Sequence, residues 1–383
     1  MNQFDNEELG SQSRFWLLAN GEAAVNCAMR TLRSIRGAAS EALRGIAPNL
    51  HGRVRLGRRL TRYCRHVLKL DVSTVSVRGR ERGSTKPHIV DIAVTGDRIG
   101  VVCDALLLAQ KPEEVFQRAA TVLSVAAGSA AKRGLPVAAD ISDGEDSDAG
   151  LLSFCSYNPG AILIPDHLFN QTRGYERERE LARVCVTTWD ARNDQILWRG
   201  STTGIGLISK PDLDVADAEL IPRVRLCLAL KNVPGTDVKL SGVTQSQDKR
   251  LDQQRLAAAG ILGEFVYPMT WYGFKFAIAI DGNSNTWSAF FTRLLMGCCV
   301  LKVDSPYGYR QWYYKDLEPW THYVPVKADL SDLHDAIAWC RTHSAECRRI
   351  AAEGQAFAMA RDYVAEMSAA RERVDRALAQ RNA

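Results

Sequence analysis

The chain has 383 residues, a formal net charge of +5, 46% hydrophobic residues and 24% charged residues. That length divides into two domains of ordinary size, and the average globular mix excludes a disordered, collagenous or low-complexity chain. So small a positive surplus excludes a dedicated nucleic-acid binder, and no nucleic acid is expected as a partner.

Ten cysteines, none in C-x-x-C spacing, read as reduced, buried thiols. The N-terminus MNQFDNEELGSQ is acidic and polar, unlike a signal peptide, and no run approaches the roughly 18 apolar residues of a membrane span. The expected location is cytoplasmic, at most peripheral to the inner face of the membrane.

Apolar spacing predicts a helix over Ser13–Ala47, ended by the breaker Ala47-Pro48-Asn49. From Arg53 to Lys69 seven basic residues and no acidic one interleave with Leu56, Leu60, Tyr63 and Leu68. This is an amphipathic helix with a solvated basic face, or one that docks on anionic lipid or an acidic glycolipid at about 1 kcal/mol per basic side chain. A strand follows at His88–Val94, a helix at Pro112–Lys132, and a strand at Leu135–Ile141 that ends in acid. Short strands at Leu151–Cys155 and Ala161–Ile164 precede a helix at Tyr175–Val186. Such alternation predicts βαβ units and a largely parallel sheet.

The second half repeats the pattern. Strands are predicted at Gln195–Trp198, Phe274–Ile280, Val300–Val303 and Tyr323–Val326, with helices at Pro222–Leu230, Trp287–Met296 and from Leu330 to the C-terminus. Ligands of such sheets bind beyond the strands' carboxyl ends, so the loops there carry the functional reading.

The sequence has no Walker A motif, H-E-x-x-H, G-x-S-x-G or well-placed G-x-G-x-x-G. Two loops of the second half suit a diphosphate. Trp198–Gly204 reads WRGSTTG, where Arg199 offers a forked cation, Gly200 and Gly204 let backbone N–H groups approach, and Ser201, Thr202 and Thr203 add hydroxyls. The alternative is ordinary turn chemistry. Asp281-Gly282-Asn283-Ser284-Asn285-Thr286-Trp287-Ser288 lies between a strand and a helix that Ser284 or Thr286 could cap, and the free N–H groups of that helix end attract phosphate. Asp146-Ser-Asp148 and Asp212-Leu-Asp214 fit D-x-D, the pattern of metal-dependent transferases. The aromatic run Tyr307–Tyr323 could stack a base or sugar, or pack a core.

The run FKFAIAIDGNSNTWSAFFTRLLMGCCVLK, continued by SPYGYRQWYYKDLEPWTHYVPVKADLSDL and preceded by WRGSTTG, resembles glycosyltransferase family 90, the capsule-associated and lipopolysaccharide-modifying family related to protein O-glucosyltransferases. The resemblance spans roughly Ala139–Phe357 and is densest over Phe274–Leu333. It implies an α/β fold of GT-B type, with two Rossmann-like domains facing across a cleft and helical N- and C-terminal extensions. It implies a UDP-sugar donor, a glycan or glycolipid acceptor, inversion at the anomeric carbon, and neither metal nor separate cofactor. Residues 1–190 would form the acceptor-side domain with the base, residues 191–345 the donor domain, and residues 346–383 the helices that pack back.

By position, Arg199–Gly204 and Asp281–Ser288 correspond to the family's donor loops. Many relatives read W-S-G-R where this chain has Trp287-Ser288-Ala289-Phe290, and some animal relatives carry a basic residue where Thr202 stands. Arg199, Lys302 or Arg293 would then meet the phosphate charge. Aligning Val137–Asp143 with the family's N-x-R-D segment places the general base at Asp143, with Glu145 and Asp146 as fallbacks. The expected reaction moves a glucose, xylose or galactose-type sugar from a UDP-sugar to a hydroxyl of a lipopolysaccharide or capsule precursor. The competing readings are a non-catalytic nucleotide- or glycan-binding relative and a metal-dependent D-x-D transferase.

Overall fold

The computed structural model describes residues 48–80, 86–145, 148–185 and 187–381; the helix expected over Ser13–Ala47 lies outside them. In chain order the elements are α1 (Pro48–His66), β1 (Thr74–Arg80), β2 (Ile89–Thr95), β3 (Arg98–Asp104), α2 (Ala105–Gln110), α3 (Pro112–Arg133), β4 (Val137–Asp140), β5 (Leu152–Ser153), β6 (Cys155–Ser156), β7 (Ile162–Leu163), α4 (His167–Gln171) and α5 (Glu176–Val184). Then follow β8 (Asn193–Ser201), α6 (Pro222–Leu230), β9 (Thr236–Gly242), α7 (Lys249–Ala258), β10 (Phe274–Ala279), α8 (Ser288–Leu295), β11 (Cys299–Val303), β12 (Arg310–Gln311), β13 (Val324–Val326), α9 (Leu333–Thr342), α10 (Ser344–Ala360) and α11 (Tyr363–Gln380). Pro48 opens α1, where proline's missing N–H costs nothing in the first turn.

The fold is mixed α/β. Its first sheet, in the order β1-β3-β2-β4-β5-β7, corrects the expectation of a largely parallel sheet. The β2–β3 hairpin pairs antiparallel internally and also against β4, while β1 with β3, β4 with β5 and β5 with β7 are parallel. The turn at Asp97 is too tight for a crossover helix, so the chain must reverse there. α3 covers this sheet. Glu113 and Glu114 sit in its first turn, Lys132 and Arg133 in its last, and Gly134 closes it at φ 65°, a conformation glycine takes without steric penalty.

The second sheet, β13-β11-β10-β8-β9, is parallel at every pairing. Its pleat sends alternate residues into two cores. Ile196, Trp198, Phe276, Ile278, Leu301 and Val303 join the core that includes α6, α9 and α10, while Leu197, Ala277, Ala279 and Val300 join an aromatic core with Phe290, Phe291 and Tyr313. Numbered by chain position these five strands run 2-1-3-4-5, so the order reverses between β8 and β10. That reversal is the crevice where doubly wound sheets bind ligands.

The last helix returns to the first sheet. Met367, Ala370, Val374 and Leu378 of α11 join the core of Leu60, Val90 and Val137. Arg133 grips Asp375 with two hydrogen bonds of 2.9 and 2.8 Å. β12 pairs antiparallel with β6, bringing Arg310 opposite Ser156. The described cysteines are free thiols, buried except for Cys185. No helix among the described residues is long and apolar enough to cross a membrane.

Candidate functional site

The two loops singled out in the sequence follow β8 and β10, the strands that flank the reversal in strand order. They touch: the Gly204 N–H donates to Asn283 Oδ1 at 3.0 Å. A third loop, after β9, joins them through Thr202, whose hydroxyl donates to the Thr244 carbonyl at 2.7 Å and accepts from the Thr244 N–H at 2.8 Å.

Arg223, near the start of α6, fixes this junction, and sequence reasoning missed it. Its guanidinium donates to Thr203 Oγ1 at 2.6 Å and to the carbonyls of Ser201, Asp281 and Ile280 at 3.2, 3.0 and 3.3 Å. One half-buried cation thus holds the carboxyl ends of β8 and β10 together. Burial lowers its pKa to about 10, which leaves it charged at neutral pH. Gly282 makes the close approach possible, since a Cβ there would lie 2.6 Å from Thr203 Oγ1 and 3.0 Å from Arg223 Nη2. Gly282→Ala should lower the free energy of urea unfolding by about 1–3 kcal/mol and weaken nucleotide binding with it; unchanged stability would show that the loops part freely.

Asp281 and Lys302 form an ion pair at 3.1 Å, with both side chains 6% exposed. Lys302 also donates to the Val303 carbonyl at 2.5 Å. The second carboxylate oxygen of Asp281 is buried without a hydrogen-bond partner. Lys302 lines a recess of about 300 Å3 together with Tyr309, Tyr314 and Tyr323.

Opposite the loops, the β4 strand end presents Asp143. Arg118, projecting from α3, donates to Asp143 Oδ1 at 3.0 Å and to the Ile141 carbonyl at 2.6 Å, and meets Glu114 at 3.1 Å. Asp143 and Asn283 line one cleft of about 570 Å3, with Lys111, Arg118, His167 and Gln245. The first sheet's expected base and the second sheet's expected donor loop therefore share one space. Cys155 bridges them from behind, donating to the Asp143 carbonyl at 3.0 Å and to Ser284 Oγ at 3.3 Å, and burial pushes its thiol up to about 12. His167, also missed, is held at a pKa of about 4 by burial and by the neighbouring Arg118 charge, so its imidazole is neutral at neutral pH. Its Nδ1 is buried without a partner. Trp287 sits at φ 50°, a region that strains an aromatic residue, with its ring 5.3 Å from the His167 ring.

Several expectations need correction. Arg199 lies on β8, not in the loop, and its donors are taken: two bonds of 2.8 and 2.7 Å to the Asp237 carboxylate, with others to the carbonyls of Asp237, Glu264 and Trp198. It ties β8 to β9 instead of reaching a ligand. Arg199→Ala should cost about 1.5–3 kcal/mol in stability while the nucleotide dissociation constant stays put; a parallel loss of affinity would return it to the site. Gly200 serves packing, because a Cβ there would stand 2.5 Å from the Trp198 ring. Neither Ser284 nor Thr286 caps α8, whose N-cap residue is Trp287. Ser284, Asn285 and Thr286 are buried; Asn285 Oδ1 accepts from the Trp287 N–H at 2.5 Å. Ser288 is the first residue of α8. Phe290, standing where relatives place arginine, is buried against Tyr313, Tyr314 and Tyr323. Arg293 is half-buried and stacked 3.7 Å over Trp271, and it lines neither the cleft nor the recess beside Lys302. Trp312 and Tyr313 pack the core. Asp212 and Asp214 are exposed, Asp148 pairs with Lys86, Glu145 with His88 at 3.4 Å, and Asp146 lies outside the described residues.

Comparison with known proteins bears on this site. Protein O-glucosyltransferase 3 of Homo sapiens is 35% identical over 136 residues, covering 35% of this chain and 24% of that protein. Protein O-glucosyltransferase 2 of Danio rerio is 37% identical over 100 residues, covering 26% and 19%. The uncharacterized protein 179R of Invertebrate iridescent virus 6 is 31% identical over 185 residues, covering 45% and 15%. The chain thus spans no more than about a quarter of the length of these relatives. Among solved structures, Anabaena HepE in complex with UDP-glucose superposes with a TM-score of 0.32 at 13% identity, covering 54% of this chain and 53% of that one. Residues 244–368, from the loop after β9 into α11, match the family model of glycosyl transferase family 90.

Proposed function

We propose that the chain is an inverting glycosyltransferase of GT-B type that moves a sugar from a UDP-sugar to a hydroxyl of a glycan or glycolipid acceptor, such as a lipopolysaccharide or capsule precursor. The observation that carries this reading is the shared cleft, in which Asp143 from one sheet faces the Asn283 loop from the other. The match of residues 244–368 to family 90 supports it, and the relatives named protein O-glucosyltransferases favour glucose as the sugar.

In this reading Asp143 takes the acceptor hydroxyl proton as the sugar–phosphate bond breaks, and Arg118 orients its carboxylate. The Gly282–Thr286 loop holds the leaving diphosphate and stabilises its developing charge. The unpartnered Asp281 oxygen accepts from a donor hydroxyl, and the tyrosines beside Lys302 offer ring faces to uracil. No metal is required, and transfer proceeds in excess chelator; loss of activity restored by Mn²⁺ would favour the D-x-D alternative. The protein works at the cytoplasmic face of the membrane, where exposed Arg55, Arg58 and Arg62 with Leu50 and Val54 on α1 meet anionic lipid. Salt-sensitive flotation with anionic liposomes reads that contact.

The deciding experiment titrates the protein with UDP, GDP, CMP and several UDP-sugars in chelator while following thermal stability. UDP compounds alone should stabilise it, by about 2.7 kcal/mol at a hundredfold excess over Kd. Stabilisation without turnover of any UDP-sugar would favour the non-catalytic relative, with Phe290 as its mark. No response to any nucleotide would overturn the donor assignment.

A further inference from the structure

A second cavity, of about 430 Å3, opens where α11 crosses the β7 edge and the β12 strand. That volume is within the range of small-molecule sites. Neither Asp143, Asn283 nor Lys302 lines it. Four cations do: Arg310, Lys315, Arg373 and Arg376, and no carboxylate joins them among the described residues.

The acids that could neutralise this wall are engaged elsewhere. Arg361 takes both Asp316, at 2.5 Å, and Glu366, at 2.7 Å, while Asp375 is held by Arg133. Arg373 is left with Nε and Nη2 buried and without hydrogen-bond partners, and its pKa is lowered by burial. Trp312, which also lines the cavity, has its indole N–H buried and unpartnered. A buried donor without an acceptor is costly, and a guanidinium more so. A wall lined by four cations and no carboxylate is complementary to a ligand of acceptor oxygens carrying more than one negative charge, and the planar guanidinium fork matches phosphate.

We propose that this cavity is a second ligand site, separate from the cleft, that binds a phosphorylated molecule through Arg373 and Arg376 with Arg310 and Lys315 at its rim. The inference uses none of the residues that line the Asp143–Asn283 cleft, and of its own four cations only Arg310 also lines the recess beside Lys302. The phosphoryl groups would balance the positive charge that the cavity wall itself leaves without a lining carboxylate.

The test is calorimetric titration of the full chain with inorganic pyrophosphate in the presence of excess UDP, so that any nucleotide site is filled. Wild-type protein should bind, and Arg373→Gln and Arg376→Gln should each weaken binding by about tenfold or more. Arg373→Gln should leave thermal stability within a few degrees of wild type, because two of the guanidinium nitrogens it removes are buried without hydrogen-bond partners; a large fall would show that Arg373 is a structural residue and would overturn its role as a ligand. Arg376 is exposed, so its variant reports on the site even where the Arg373 variant folds poorly. Absence of pyrophosphate binding, or binding unchanged in the Arg376 variant, overturns the proposal. Citrate binding as tightly as pyrophosphate would overturn the phosphoryl assignment.

Discussion

Asp143→Asn should lower kcat for sugar transfer by about 10²- to 10⁴-fold while leaving UDP affinity within about twofold. The amide cannot take the acceptor proton, yet it keeps the shape of the side chain. Arg118 retains its bonds to the Ile141 carbonyl and to Glu114, so the strand end should hold its place. Because Asp143 faces the cleft from the first sheet and no donor loop depends on its carboxylate, binding and chemistry should separate. Single-turnover transfer alongside equilibrium UDP titration measures the split. An equal loss of both would make Asp143 a structural partner of Arg118 and pass the base to Glu145.

Lys302→Met should destabilise the fold by about 3–5 kcal/mol, because it removes the ion-pair partner of the Asp281 carboxylate while the carboxylate stays buried. Arg223 stays close, but its guanidinium bonds the Asp281 carbonyl and not the carboxylate, so it does not replace the lost bond. Adding Asp281→Asn to Lys302→Met should recover much of the loss, since the buried charge is then gone. Urea unfolding of both single variants and the double variant closes the cycle. A small effect for Lys302→Met would mean that water reaches the Asp281 carboxylate or that Arg223 balances its charge.

The second sheet was legible because parallel strands buried on both faces are continuous apolar runs, as in Phe274–Ala279 and Cys299–Val303. Besides the two-residue β12, the strands that escaped notice, β1, β3 and β9, mix apolar with charged positions, and Arg78, Arg80, Arg98 and Lys239 disguise them as loops. The two loops that meet at Asn283 showed in their glycines and hydroxyl residues, and Asp143, which shares their cleft, in the acid that follows β4. Arg223 did not show. Within Pro222–Leu230 it is one arginine of two in a short helix, and only the strand order brings the start of α6 beneath the loop ends. Arg199 misled for the opposite reason: its neighbours suit a phosphate, but Asp237 on the adjacent strand, far away in sequence, claims it. Contacts of this kind depend on strand register, which a single sequence does not display.

The return of α11 to the first sheet sets a timetable for the newborn chain. Arg133 and Asp375 stand 242 positions apart. At about 5–20 residues per second, roughly 10–50 s of synthesis separate them. Strands β8 to β13 and the helices through α10 can close their two cores within that interval, but the sheet made first keeps one flank of α3 open to solvent until residues near Leu378 have emerged. The first of the two sheets to be made is therefore the last to be finished. A chain ending at Asp362 and released from the ribosome should hold a native second sheet beside a first sheet that proteases still cut.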